Sequence, residues 1–134
     1  VILALRVVRE RVDIYMFYQD RFIEQLRRCS TVRGNVVVLD LRNEETIWPG
    51  NRFMIYALFP ETNISIHVLW GLKQQNTVFA CGKSILDRGS KTNVGPLMLQ
   101  YGGGGHEKAG TCQVENDRAT QVLDELVATM NADG

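Results

Sequence analysis

Val36-Val37-Val38-Leu39-Asp40-Leu41 is a nearly unbroken apolar run rich in β-branched residues. A strand with one face in solvent alternates apolar and polar side chains, so a run of this kind reads as a strand buried on both faces. Such a strand needs covering layers above and below it. That requirement limits the chain to a layered α/β or α+β domain. At 134 residues the chain is long enough to bury a sizeable core and is expected to form a single domain.

The periodicities on either side supply the layers. Leu5, Val8, Val12 and Tyr15 recur at helical spacing, and Phe22, Ile23 and Leu26 continue the pattern with Arg21, Glu24, Arg27 and Arg28 outside it. This predicts one or two helices up to about Cys29, and Gly34 ends the polar break that follows. Pro49-Gly50 marks a turn, Asn51 is a candidate N-cap, and residues 52–59 favour a short helix stopped at Pro60. Ile64, Ile66, Val68 and Trp70 alternate with Ser65, His67 and Leu69, a strand whose hairpin partner runs from Thr77 to Cys81. His67 falls on the less apolar face and reads as a satisfied sheet histidine rather than a ligand. Residues 83–92 are polar and loop-like. Asn93 is placed to cap a helix over 94–101, with Pro96 tolerated in its first turn. Thr111 to Val114 form a short strand. Asn116 is expected to cap a last helix whose Ala119, Val122, Leu123, Leu126, Val127 and Met130 share one face. The predicted fold is α+β: a single mixed β-sheet flanked by helices, with a glycine-rich loop between a helix and a strand.

That loop is the most unusual stretch of the chain: Gln100-Tyr101-Gly102-Gly103-Gly104-Gly105-His106-Glu107-Lys108-Ala109-Gly110. Four consecutive glycines weaken the structure that contains them, because glycine loses the most backbone entropy on folding. Such a run fits a sharp turn or a close approach to the backbone. Bare successive N–H groups form an anion site of the nest type, and His106 adds a donor that takes a proton near neutral pH. One reading is therefore a phosphate cradle with a histidine at its rim. The other is a helix C-cap followed by a tight turn, which accounts well for Gly102. Two nucleotide motifs are excluded. The dinucleotide fingerprint would require glycine at 107 or 108, where Glu107 and Lys108 stand, and the stretch follows a helix rather than a strand. Gly82-Lys83-Ser84 resembles the end of a P-loop, but the first glycine would fall at Thr77.

Lys+Arg and Asp+Glu both number 15, which argues against a general electrostatic nucleic-acid binder but not against a local basic site. Between Gly82 and Gly110, Lys83, Arg88, Lys91 and Lys108 outweigh Asp87 and Glu107. Loops carrying Lys83, Ser84, Arg88 and His106 would surround one cavity if they meet. Cys29, Cys81 and Cys112 contain no C-x-x-C pair and read as reduced cysteines of a cytoplasmic protein. No apolar run approaches the roughly 18 residues of a membrane span, so no membrane partner is expected. Position 1 is Val rather than Met, which suggests a piece of a longer chain.

The succession of a strand, a polar basic loop, a helix and then Gly103-Gly104-Gly105-His106 with Ala109 three residues beyond resembles the C-terminal associated domain of DHH-family phosphoesterases, most closely the exopolyphosphatase-related branch. The resemblance is specific over residues 78–114. It implies residues 31–134 as the substrate-binding domain and residues 1–30 as a helical linker from an upstream catalytic domain. That domain would hold a divalent metal, manganese in this family, with no cofactor in the present chain. It implies substrate contacts from Gly103, Gly104, Gly105 and His106, and from Lys83 and Ser84, which stand where relatives often carry Arg-Ser. Lysine there replaces a forked guanidinium with a point charge. Arg88 is a further basic candidate. No Asp-His-His run or D-x-D cluster occurs, so the chain alone is expected to lack the two-metal site and to be inactive. Asp40, at the end of the buried strand, reads as a structural carboxylate.

Three functions follow as alternatives. The first is the substrate-binding domain of a metal-dependent phosphoesterase, partnered by its DHH-type domain and by a short oligonucleotide, nucleotide or polyphosphate. The second is a non-catalytic nucleotide or phosphate sensor, and the third an interaction module in which the glycines only turn the chain. A homodimer is compatible with each.

Overall fold

The computed structural model describes residues 2–48, 50, 53–84 and 89–134. A six-stranded mixed sheet with order β1-β2-β3-β4-β6-β5 forms its centre. The chain runs through α1 (Ile2–Cys29), β1 (Ser30–Arg33), β2 (Val36–Asp40), α2 (Met54–Leu58), β3 (Ile64–Trp70), β4 (Asn76–Lys83), α3 (Val94–Leu99), β5 (Gly104–Gly105), β6 (Ala109–Glu115) and α4 (Ala119–Asp133). Only β2 and β3 pair in parallel; every other neighbouring pair is antiparallel.

The alternation of side chains across β2 divides the core in two. Val36 and Val38 face one layer, where Ile64, Ile66, Val68, Phe79 and Cys112 meet Val94 and Met98 of α3 and Val122, Leu126 and Met130 of α4. Val37 and Leu39 face the other, against Leu26 of α1 and Ile55 and Tyr56 of α2. The central strand is thus buried on both sides, as its composition requires. The second layer is shorter than the first. Over β4 and β6 it ends, leaving Val78 and Ala80 half-buried and Thr111 and Gln113 exposed.

The α1 helix joins the core only by its last turns. Phe22 and Leu26 pack under the sheet, whereas Leu5, Val8, Val12 and Tyr15 of the same apolar stripe are more than half exposed. Buried Gln25 pins the following loop. Its Nε2 donates to Glu44 Oε1 at 3.0 Å and to the Thr46 carbonyl at 2.7 Å, and its Oε1 accepts from the Trp48 N–H at 3.0 Å.

Several local expectations are revised. Residues 30–33 form an additional edge strand, which pairs with β2 through Val32 opposite Val37. Its short polar sequence carries no alternation of its own. Asn93 does not cap α3 with its side chain; instead the N–H groups of Val94 and Gly95 donate to the carbonyls of Glu107 and His106 at 3.0 and 2.8 Å. Asn116 does not cap α4. Its Oδ1 accepts from Thr77 Oγ1 at 2.9 Å and its Nδ2 donates to the Gln74 carbonyl at 2.8 Å, so the helix opens through a 3₁₀ turn over Asn116–Arg118. Pro49 and Asn51 lie outside the described residues.

Candidate functional site

The glycine run is divided between two tasks. Gly102 takes φ +81° and donates to the Leu99 carbonyl at 3.1 Å, while the Gly103 N–H donates to the Met98 carbonyl at 2.9 Å. This is a Schellman closure of α3, and it needs a left-handed residue at Gly102. The chain then enters β5, where Gly104 pairs with Thr111 and Gly105 with Gly110. A side chain at Gly103 would collide with the Thr111 carbonyl oxygen, so the two backbones approach too closely for any other residue there. Gly104, by contrast, has open space where a Cβ would stand and no positive φ.

Beyond β5 the chain reverses through a hairpin loop, and the His106 N–H donates to the Ala109 carbonyl at 2.8 Å. The N–H groups of Gly102, Gly103 and His106 are therefore bonded within the protein. The His106 ring is exposed, and its Nδ1 accepts from the Lys108 N–H at 3.3 Å. In the neutral ring that acceptor places the proton on Nε2, leaving it as the outward donor.

Next to this loop, where the second covering layer ends, lies a cavity of about 420 Å³. Lys83, Ser84 and His106 all line it, together with Glu107 and Lys108. The structure thus brings together three of the basic-loop and histidine candidates. Gly103, Gly104 and Gly105 stand beside the cavity rather than in its wall, and Arg88 lies outside the described residues. The Lys83 side chain is only 12% exposed, and its Nζ is 3.8 Å from Glu107 Oε1. The Lys83 N–H donates to the Lys108 carbonyl at 2.9 Å, fastening the end of β4 to the hairpin loop.

The opposite wall was not legible in the sequence. Phe53 and Tyr56 contribute it from α2 and the residue before it, and Ser65 and His67 from β3. The Tyr56 hydroxyl donates to the Gly82 carbonyl at 2.7 Å and lies 2.8 Å from Ser65 Oγ, tying α2 to β3 and β4. His67 is placed by its register: it pairs with Leu39 and Ala80 and shares the half-open face with them. Strand alternation assigned His67 to that face, but nothing in the sequence showed that the covering layer stops there.

Cys81 also lines the cavity, yet it is not a nucleophile in waiting. Burial pushes its thiol well above the ordinary range, and the Cys112 thiol is pushed up to about 11. Both stay protonated near neutral pH. Asp40 is engaged elsewhere: its Oδ1 accepts from Arg42 Nε at 3.0 Å and its Oδ2 from Nη2 at 2.8 Å. This pairing with Arg42 holds its carboxyl below the usual range. Among the described residues no three His, Cys, Asp or Glu side chains group as a metal site. No helix among the described residues is long and apolar enough to cross a membrane.

Two solved structures place this geometry among known proteins. PggH, a pGpG-specific phosphodiesterase from Vibrio cholerae, superposes with a TM-score of 0.90 and is 57% identical over 95% of this chain. The chain spans 43% of the length of that protein. An exopolyphosphatase-related protein from Bacteroides fragilis shares the fold, with a TM-score of 0.60 and 13% identity over 86% of this chain and 35% of its own. No family model and no curated protein matches the chain.

Proposed function

We propose that this chain is the substrate-binding domain of a DHH-type phosphodiesterase acting on short linear nucleotides of the pGpG kind. The observation that carries this reading is the cavity at the hairpin loop. It sets the cations Lys83 and Lys108 and the exposed His106 beside the aromatic wall of Phe53 and Tyr56. A nucleotide presents a charged phosphate and a flat apolar base, and the two sides of the cavity match those two parts. The 57% identity to a pGpG-specific phosphodiesterase supports the choice of a dinucleotide over polyphosphate.

In this reading His106 donates from Nε2 to a phosphate oxygen, and Lys83 and Lys108 neutralise the remaining charge. Ser84 is buried in the same cavity wall, and the exposed Gly104–Gly105 segment lies beside it. Bond cleavage belongs to a separate domain of the whole protein, which supplies the divalent metal; this chain binds and orients. Titration of the chain with pGpG and an assay of the full-length protein with manganese test both parts. The expected result is saturable binding by the chain without turnover, and metal-dependent hydrolysis of pGpG by the full-length protein. Turnover by the chain alone would refute the division of labour. Binding without hydrolysis by the full-length protein would assign a nucleotide sensor instead.

A further inference from the structure

Three buried side-chain polar atoms among the described residues have no hydrogen-bond partner: Ser30 Oγ, Asn76 Oδ1 and Ser90 Oγ. Of these residues Ser90 alone lines the cavity. It is 8% exposed, and its hydroxyl finds no hydrogen-bond partner among the described residues. Buried hydroxyls are ordinarily satisfied, and one left without a partner costs stability.

The residues after Ser90 hold it in place. The Lys91 N–H donates to the Gly134 carbonyl at 3.0 Å, and Thr92 Oγ1 donates to Asp133 Oδ2 at 2.9 Å. The segment is thereby fastened to the end of α4. The hydroxyl of Ser65, which also lines the cavity, is already engaged by Tyr56.

We infer that Ser90 is a base-reading residue, whose hydroxyl hydrogen-bonds the polar edge of a nucleobase seated in this cavity. The inference rests on the nucleotide reading above. Desolvation decides between base and phosphate as the partner. Taking a charged phosphate to a buried neutral hydroxyl is far costlier than taking a base edge there. The phosphate is better served at the rim, where His106 and Lys108 are exposed. A serine hydroxyl both donates and accepts, so it suits the mixed donor and acceptor edge of a purine.

The test uses the full-length protein and two probes: pGpG, and an abasic analogue with the same phosphates and no bases. Ser90→Ala should weaken pGpG binding about three- to tenfold and leave the affinity for the abasic analogue unchanged. Its melting temperature should hold or rise, because the substitution removes an unpaired buried hydroxyl. Ser90→Cys, close in size but a poor hydrogen-bonding group, should show the same selective loss and provides the comparison if the alanine variant folds poorly. Unchanged pGpG affinity in both variants overturns the inference while leaving the nucleotide reading standing. Equal losses for both probes overturn it in favour of a phosphate contact or a structural role. Failure of the wild-type protein to bind pGpG overturns the nucleotide reading and the inference together.

Discussion

The Gly95 N–H donates to the His106 carbonyl at 2.8 Å, and a Cβ on Gly95 would stand 2.8 Å from the Gly105 carbonyl oxygen. The first turn of α3 thus rests directly on the hairpin loop that carries the candidate histidine. Two of the amides that a helix leaves unpaired at its start are satisfied by this loop. The placement of His106 follows from the packing of α3 as much as from the glycine run.

Gly95→Ala tests that dependence, because its two effects have opposite signs. In a free helix the change would stabilise by about 1 kcal/mol. Here the methyl group would press on the Gly105 and His106 backbone, at an overpacking cost of about 1–3 kcal/mol. Denaturant unfolding is expected to show a net loss, accompanied by weaker pGpG binding as the loop shifts. A net gain in stability would show that the loop gives way without resistance.

The glycines of the run should not respond alike. A side chain at Gly103 meets the Thr111 carbonyl and the Cys112 Cα, and Gly105 combines φ +154° with contacts to Ala109 and Gly110. Gly104 meets nothing within 4 Å. Alanine at 103 or 105 should therefore destabilise by more than about 2 kcal/mol, while Gly104→Ala should stay within about 0.5 kcal/mol of wild type. Thermal melts of the three single variants check this order. Gly104→Val should likewise spare the fold, and pGpG titration of that variant tests whether a ligand extends from the cavity over this segment.

The contrast shows how much of the architecture was legible in advance. Composition fixed β2 as a strand buried on both faces, and helical spacing located α4 and its buried stripe. Within the glycine run positive φ falls at Gly102 and Gly105 and not at Gly104. That distribution depends on which residues oppose the run across β6, a long-range pairing that spacing alone does not encode. The aromatic wall was hidden for the same reason. Tyr56 lies in a five-residue helix too short to show a period, and long-range bonds to the Gly82 carbonyl and Ser65 Oγ place it at the cavity. Lys83, Ser84 and His106 could be read because each sits beside a glycine or a strand end that marks it locally.

Acid should loosen the loop that follows β2. Hydrogen bonds from Arg28 first and Gln25 second hold the Glu44 carboxyl at about 2, against its ordinary 4.5. A folded-state value below the unfolded one contributes stability above about pH 4.5, and that contribution is lost as pH falls toward 2. Glu44→Gln imitates the protonated side chain. Its melting temperature should lie below that of wild type at neutral pH, and the gap should close as both are melted at successively lower pH. A gap that persists at pH 2 would place the effect in packing rather than in charge.

His106→Ala separates binding from structure at the candidate site. The ring is exposed, and the hydrogen bond recorded for it is the 3.3 Å contact from the Lys108 N–H. Its loss should therefore change stability by less than about 0.5 kcal/mol. A charge-assisted hydrogen bond to phosphate contributes about 1.5–3 kcal/mol, so pGpG affinity should fall roughly ten- to a hundredfold. In the full-length protein the change should raise KM, lower kcat, or do both, with bound manganese unaltered. Lys108→Ala should bring a smaller loss that shrinks as salt is raised, since screening weakens an exposed charge, whereas the loss from Lys83→Ala should depend less on salt because that side chain is only 12% exposed. Melting temperature, metal content and turnover measured on one preparation decide the matter. Normal turnover with a lowered melting temperature would make His106 a loop-stabilising residue, and loss of manganese would make it a metal ligand.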